Sequence, residues 1–97
     1  MTITSDILKQ AGFECVDRDK VCEKWELRTE WQTLVLFHNY KAHNAPYRMC
    51  GLKHSYDRFT VRDTQEIYDF AMLSGVDLEM KRALKSFDEA MFHEKME

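Results

Sequence analysis

The chain predicts an α+β fold: a short N-terminal helix, a three- to four-stranded antiparallel sheet, and two C-terminal helices packed on one sheet face. Three observations lead there. Apolar residues in the middle third recur with period two, helix-capping patterns bracket apolar stripes at both ends, and the connections between candidate strands are too short for parallel crossovers. At 97 residues there is room for one hydrophobic core, so residues 1–97 read as a single domain.

Thr4, Ser5 and Asp6 precede Ile7, Leu8 and Ala11, and Gly12 follows; an N-cap cluster, an apolar stripe and a C′ glycine predict a short helix. Phe13 and Cys15 then alternate with Glu14, and the polar run from Asp17 to Lys20 reads as a hairpin loop after a first strand. Val21, Trp25 and Leu27 alternate with Cys22, Lys24, Glu26 and Arg28, as in a second strand with one wet face. After a polar break at residues 28–30, residues 31–40 carry Leu34, Val35, Leu36 and Phe37, apolar on both sides of the pleat, which suits a central strand. Residues 41–46 are a connection, with Ala45 extended before Pro46. Residues 49–54 pair as a fourth strand in which Gly51 marks a bulge or close approach.

Helical punctuation returns with two overlapping starts, Thr60 with Asp63 and Asp63 with Glu66. The body holds Ile67, Tyr68, Phe70, Ala71, Met72 and Leu73, and Gly75 supplies a stop. A last helix starts at an Asp77 cap. It carries Met80, Ala83, Leu84, Phe87, Ala90 and Met91 on one stripe, and Lys81, Arg82, Lys85, Asp88 and Glu89 on the solvent side.

Composition excludes several classes. At 44% hydrophobic and 32% charged, with three Gly and one Pro, the chain is too apolar and too poor in breakers to be disordered. The 17 acidic and 14 basic residues are scattered, so no run supplies the basic face that nucleic-acid binding needs. No window approaches the roughly 18 apolar residues of a membrane span. Cys15, Cys22 and Cys50 make an odd count and the first residues lack the charged and apolar regions of a signal peptide, which argues for a cytoplasmic protein.

Chemistry-bearing motifs are sparse. There is no G-x-S-x-G, P-loop, dinucleotide fingerprint or H-E-x-x-H, and the reading leans away from an enzyme. Cys15, Cys22, Cys50 and His54 form the sharpest metal candidate, with His38 and His43 nearby in sequence. Against it, Cys50 and His54 in one strand would stand about 13 Å apart, and buried cysteines commonly serve as small hydrophobes. A Cys–His nucleophile from Cys50, His38 and His54 lacks a glycine-rich elbow or a helix start to activate it. No cofactor is expected.

Hot-spot residue types gather in the middle of the chain. Tyr40, Lys41, His43, Tyr47, Arg48, Tyr56 and Arg58 form a candidate partner-binding surface, since tyrosine and arginine bury area while keeping a polar handle. The competing reading is that Tyr40, Tyr47 and Phe59 close the edge of the core. The stripe of Met80, Met91 and Met96, with Phe87 and Phe92, packs on the sheet, but Phe92 and Met96 lie partly off it and are free to serve a homodimer. The segments ILKQAGF and TVRDTQEIYDFAMLSGVDLE, flanking a short antiparallel sheet, resemble in layout the small α+β proteins of bacteriophages and prophages. That resemblance implies a protein that docks on a host enzyme or defence complex and blocks it. The expectation is therefore a non-enzymatic protein-binding domain, with a metal- or small-ligand-binding domain built on Cys50, His54 and His38, enzymatic or not, as the alternative.

Overall fold

The computed structural model describes residues 1–44, 46–50 and 58–88. Its first helix, α1 (Ser5–Ala11), is capped at both ends as its sequence requires. Thr4 Oγ1 accepts from the Ile7 N–H at 3.2 Å. Gly12 takes the left-handed conformation, φ 104°, so that its own N–H and that of Phe13 return to the Lys9 and Leu8 carbonyls. A Cβ at Gly12 would stand 3.1 Å from Leu27 Cδ1, so both the φ angle and the space favour glycine.

Five strands follow: β1 (Glu14–Arg18), β2 (Cys22–Arg28), β3 (Thr33–Asn39), β4 (Tyr47–Cys50) and β5 (Arg58–Val61). They form one antiparallel meander in the order β1-β2-β3-β4-β5. The three- to four-strand expectation is thus one or two strands short. Residues 58–61, read from sequence as a connection and a helix start, pair in full with β4. The proposed fourth strand ends at Cys50, and its Gly51 and His54 lie outside the described residues. The β1–β2 turn is tied by Asp19, whose Oδ1 accepts from the Val21 and Cys22 N–H groups at 2.7 and 2.8 Å. A bulge at Val16 shifts the register between Cys15 and Asp17.

Pairing fixes which side chains share a face. The rows Trp25–Leu36–Met49 and Leu27–Leu34 point to one side, and all of these are buried. Onto that side pack Leu8 of α1, Ile67 and Ala71 of α2 (Thr64–Leu73), Met80 and Leu84 of α3 (Leu78–Leu84), and Phe87 of a final 3-10 turn (Lys85–Phe87). Phe13 and Phe87 stack with ring centroids 6.3 Å apart. Asp63 caps α2, accepting from the Glu66 N–H at 2.9 Å, while Glu66 reaches back to the Arg62 N–H at 3.2 Å. Of the two sequence-level starts, the later one is used, because Thr60 is committed to β5. Asp77 caps α3 through the Met80 N–H at 2.8 Å.

Two local expectations change. Val21, assigned to the inward row, is 42% exposed because it precedes the paired residues of β2. Asp88, assigned to the solvent side of the last helix, is buried where the chain leaves the helix through the 3-10 turn. Met91, Phe92 and Met96 lie outside the described residues.

Candidate functional site

The same parity rule that buries Trp25 and Leu27 carries Glu23 inward, and it carries His38 inward with Leu34 and Leu36. Glu23 and His38 are direct cross-strand partners, and Tyr47 is the next residue in that row, on β4. The result is a buried carboxylate, 4% exposed, at the rim of the core. His38 Nδ1 lies 2.9 Å from Oε1, so it carries the proton of that bond. The Tyr40 hydroxyl donates to Oε2 at 2.9 Å, and Arg18, mostly exposed on β1, donates from Nε at 3.1 Å and pairs through Nη2 at 3.0 Å. The His38 ring stacks on Tyr47 at 4.3 Å and meets Tyr40 edge-on at 5.1 Å.

Electrostatics follow from that inventory. Burial alone would raise the Glu23 pKa. The hydrogen bonds from His38 and Tyr40, the nearby Trp25 N–H and the His38 charge outweigh burial and hold the carboxyl at about 2. Trp25 Nε1 has no hydrogen-bond partner of its own among the described residues, so its N–H favours the ionised carboxylate from beyond hydrogen-bonding geometry. Burial, then for Tyr40 its hydrogen bond to Glu23, and then the Glu23 charge raise the Tyr40 and Tyr47 phenols above their ordinary 10.

The predicted binding residues are therefore divided between two faces of one hairpin end. Tyr40 and Tyr47 join Glu23 and His38 at the rim of the core, where their packing is that of residues closing its edge. Lys41 and His43 are exposed in the β3–β4 turn, where the Lys41 N–H donates to Asn39 Oδ1 at 2.9 Å. Arg48 and Arg58 project from the opposite, outer face. Tyr56 lies outside the described residues.

The metal candidate does not assemble as the sequence suggested. Cys50 is paired with Arg58 on the outer face, whereas His38 is on the core face, so the sheet stands between them. His54 lies outside the described residues. Among the described residues no three His, Cys, Asp or Glu side chains are grouped as metal ligands. Cys15 is half-buried against the core, as a small hydrophobe would be, but Cys50 is not part of it.

A third feature escaped the sequence. Trp31, assigned to the start of β3, instead sits in the β2–β3 turn and is 80% exposed. That turn is locked. Thr29 and Gln32 exchange three hydrogen bonds, Gln32 Nε2 donates to the Gly75 carbonyl at 3.3 Å, and its Oε1 accepts from the Asp77 N–H at 2.7 Å. The Glu30 N–H also donates to Glu79 Oε2 at 3.3 Å. These links bring the turn against the α2–α3 loop, which is flanked by Leu73 at the end of α2 and Leu78 at the start of α3, 82% and 63% exposed. Three large apolar side chains are thus exposed on neighbouring segments at the end of the molecule opposite Tyr40. The available signal was the four-residue span from Thr29 to Gln32, which suits a tight hairpin better than an early strand start.

No protein-family model, curated protein or solved structure matches the chain. Among the described residues, no helix is long and apolar enough to cross a membrane.

Proposed function

We propose that the chain is a non-enzymatic interaction protein that docks on a protein partner, with Trp31 as its anchor. The observation that carries this reading is an indole left 80% exposed on a turn held on either side of it, through Glu30 and Gln32, while Trp25 is wholly buried. Leaving a large ring in water forgoes about 2 kcal/mol of burial. Tryptophan is also the residue type most enriched at binding hot spots. A turn already held in place by hydrogen bonds has less ordering entropy to lose on association.

Leu73 and Leu78 extend the apolar area, and Glu30 and Glu79 border it with negative charge. The partner that fits is a protein with an apolar pocket for the indole and basic groups around the pocket rim. The layout shared with small phage and prophage proteins supports a cytoplasmic inhibitor of a host or defence component. The test compares immobilised wild type with Trp31→Ala in extract of the host cell, followed by calorimetry on any protein retained in equal stoichiometry. Loss of that protein from Trp31→Ala, with unchanged thermal stability, supports the anchor. Retention at full affinity by Trp31→Ala, but loss from Tyr47→Ala/Arg58→Ala, moves the interface to the hairpin end. Retention by both variants sinks the docking surfaces drawn from either end.

A further inference from the structure

On the outer face of the sheet, Glu14, Asp17 and Glu26 share the β1–β2 side with Lys24 and Arg28, and Arg48 and Arg58 lie on the β4–β5 side. Arg48 stands directly across from Phe37 on one flank and Thr60 on the other. Arg58, two residues before Thr60, is its diagonal neighbour, at about 7–8 Å between Cα atoms in an antiparallel pair. The Arg58 guanidinium reaches across β4 to lie 4.3 Å from the centroid of the Phe37 ring. Beside it a recess of about 150 Å3 opens among Cys22, Phe37, Asn39, Pro46, Arg48 and Arg58.

Charge and size together define what this recess accepts. The ion pairs among the described residues engage Arg18, Arg28 and His38, and neither Arg48 nor Arg58 meets a carboxylate there. Two guanidinium groups on one small recess repel each other until an anion joins them. Sites for nucleotides and drug-sized molecules run to roughly 300–1,000 Å3, well above this one. A nucleic-acid groove would need several more cations than two, since typical footprints make about 6–10 phosphate contacts. What fits is one oxyanion with a short apolar stem.

We propose that the Arg48–Arg58 recess binds a single oxyanion group, a carboxylate or a phosphate. Guanidinium edges donate to its oxygens, and Phe37 and Pro46 take the stem. The site stands apart from the Trp31 pole and does not depend on the docking reading. Amide chemical-shift titrations of the full chain test it, using sodium acetate and sodium phosphate as separate probes with ionic strength held constant by sodium chloride. The expected result is a saturable response confined to amides around Phe37, Asn39, Arg48 and Arg58. In Arg48→Gln/Arg58→Gln the binding should weaken by at least about tenfold. Arg58→Lys should retain the fold and charge yet lose most of the affinity, because an ammonium offers no planar pair of donors. Saturation by acetate alone, phosphate alone or both identifies the group accepted. No saturable response to either probe, the same response to chloride, or an unchanged response in the double variant would overturn the site.

Discussion

Replacing Glu23 by glutamine removes one negative charge and leaves the shape of the site nearly intact. The wild-type carboxyl falls from its ordinary 4.5 to about 2 in the folded chain, because His38, Trp25 and Tyr40 favour its ionised form. At 1.36 kcal/mol per pH unit, that difference corresponds to roughly 3 kcal/mol of stability linked to ionisation. The sign is that of a depressed acid. The contribution is fully present above pH 4.5, and it is lost as pH falls from there towards 2. Urea unfolding of both proteins between pH 7 and pH 2.5 reads it directly. At pH 7 Glu23→Gln should be less stable by about 2–3 kcal/mol, since an amide gives up the charge-assisted bonds from Arg18, Tyr40 and His38. The gap should close progressively below pH 4.5. Parallel stability profiles across that range would refute the view that Glu23 is held ionised by its donors.

Other substitutions probe the frame that holds these surfaces. Gly12→Ala should lower stability by about 1–2 kcal/mol, because it forces a side chain into a left-handed position and presses on Leu27; the denaturant midpoint reports it. Asp63→Ala should cost about 1 kcal/mol through loss of the α2 cap, with a matching fall in thermal midpoint. Leu36→Ala, at a fully buried position of the central strand, should cost about 2–5 kcal/mol in equilibrium unfolding. Trp31→Ala should leave stability within about 0.5 kcal/mol, since the ring is in water in the free protein.

Helix ends were legible because their chemistry is local. Thr4 and Gly12 bracket α1, and Asp63 and Asp77 open α2 and α3, each through bonds spanning three to five residues. The alternating strands were legible for the same reason, since parity is a property of neighbours. β5 was not, because only Val61 among its four residues is fully buried and Thr60 imitates a cap. Glu23 interrupts an apolar row and was passed over. Its meaning depends on His38 and Tyr40, which are brought to it by strand pairing across 15 and 17 residues. Arg48 and Arg58 were grouped from sequence in one candidate binding surface, but that they are diagonal neighbours on the outer face follows only from the β4–β5 register. The exposure of Trp31 depends on where β3 begins, a boundary fixed by Gln32 bonding to the α2–α3 loop.

A meander in which each strand lies beside the one synthesised just before it can grow hairpin by hairpin as the chain leaves the ribosome, without waiting for distant segments. Its apolar flank has only the N-terminal segment, with Ile3, Leu8 and Phe13, as an early partner. The rest of the face formed by Trp25, Leu27, Leu34, Leu36 and Met49 waits for Ile67, Met80, Leu84 and Phe87, so a nascent chain arrested before α2 would present a sheet with one side only partly covered. That interval is when the molecule is most open to self-association and most in need of a chaperone.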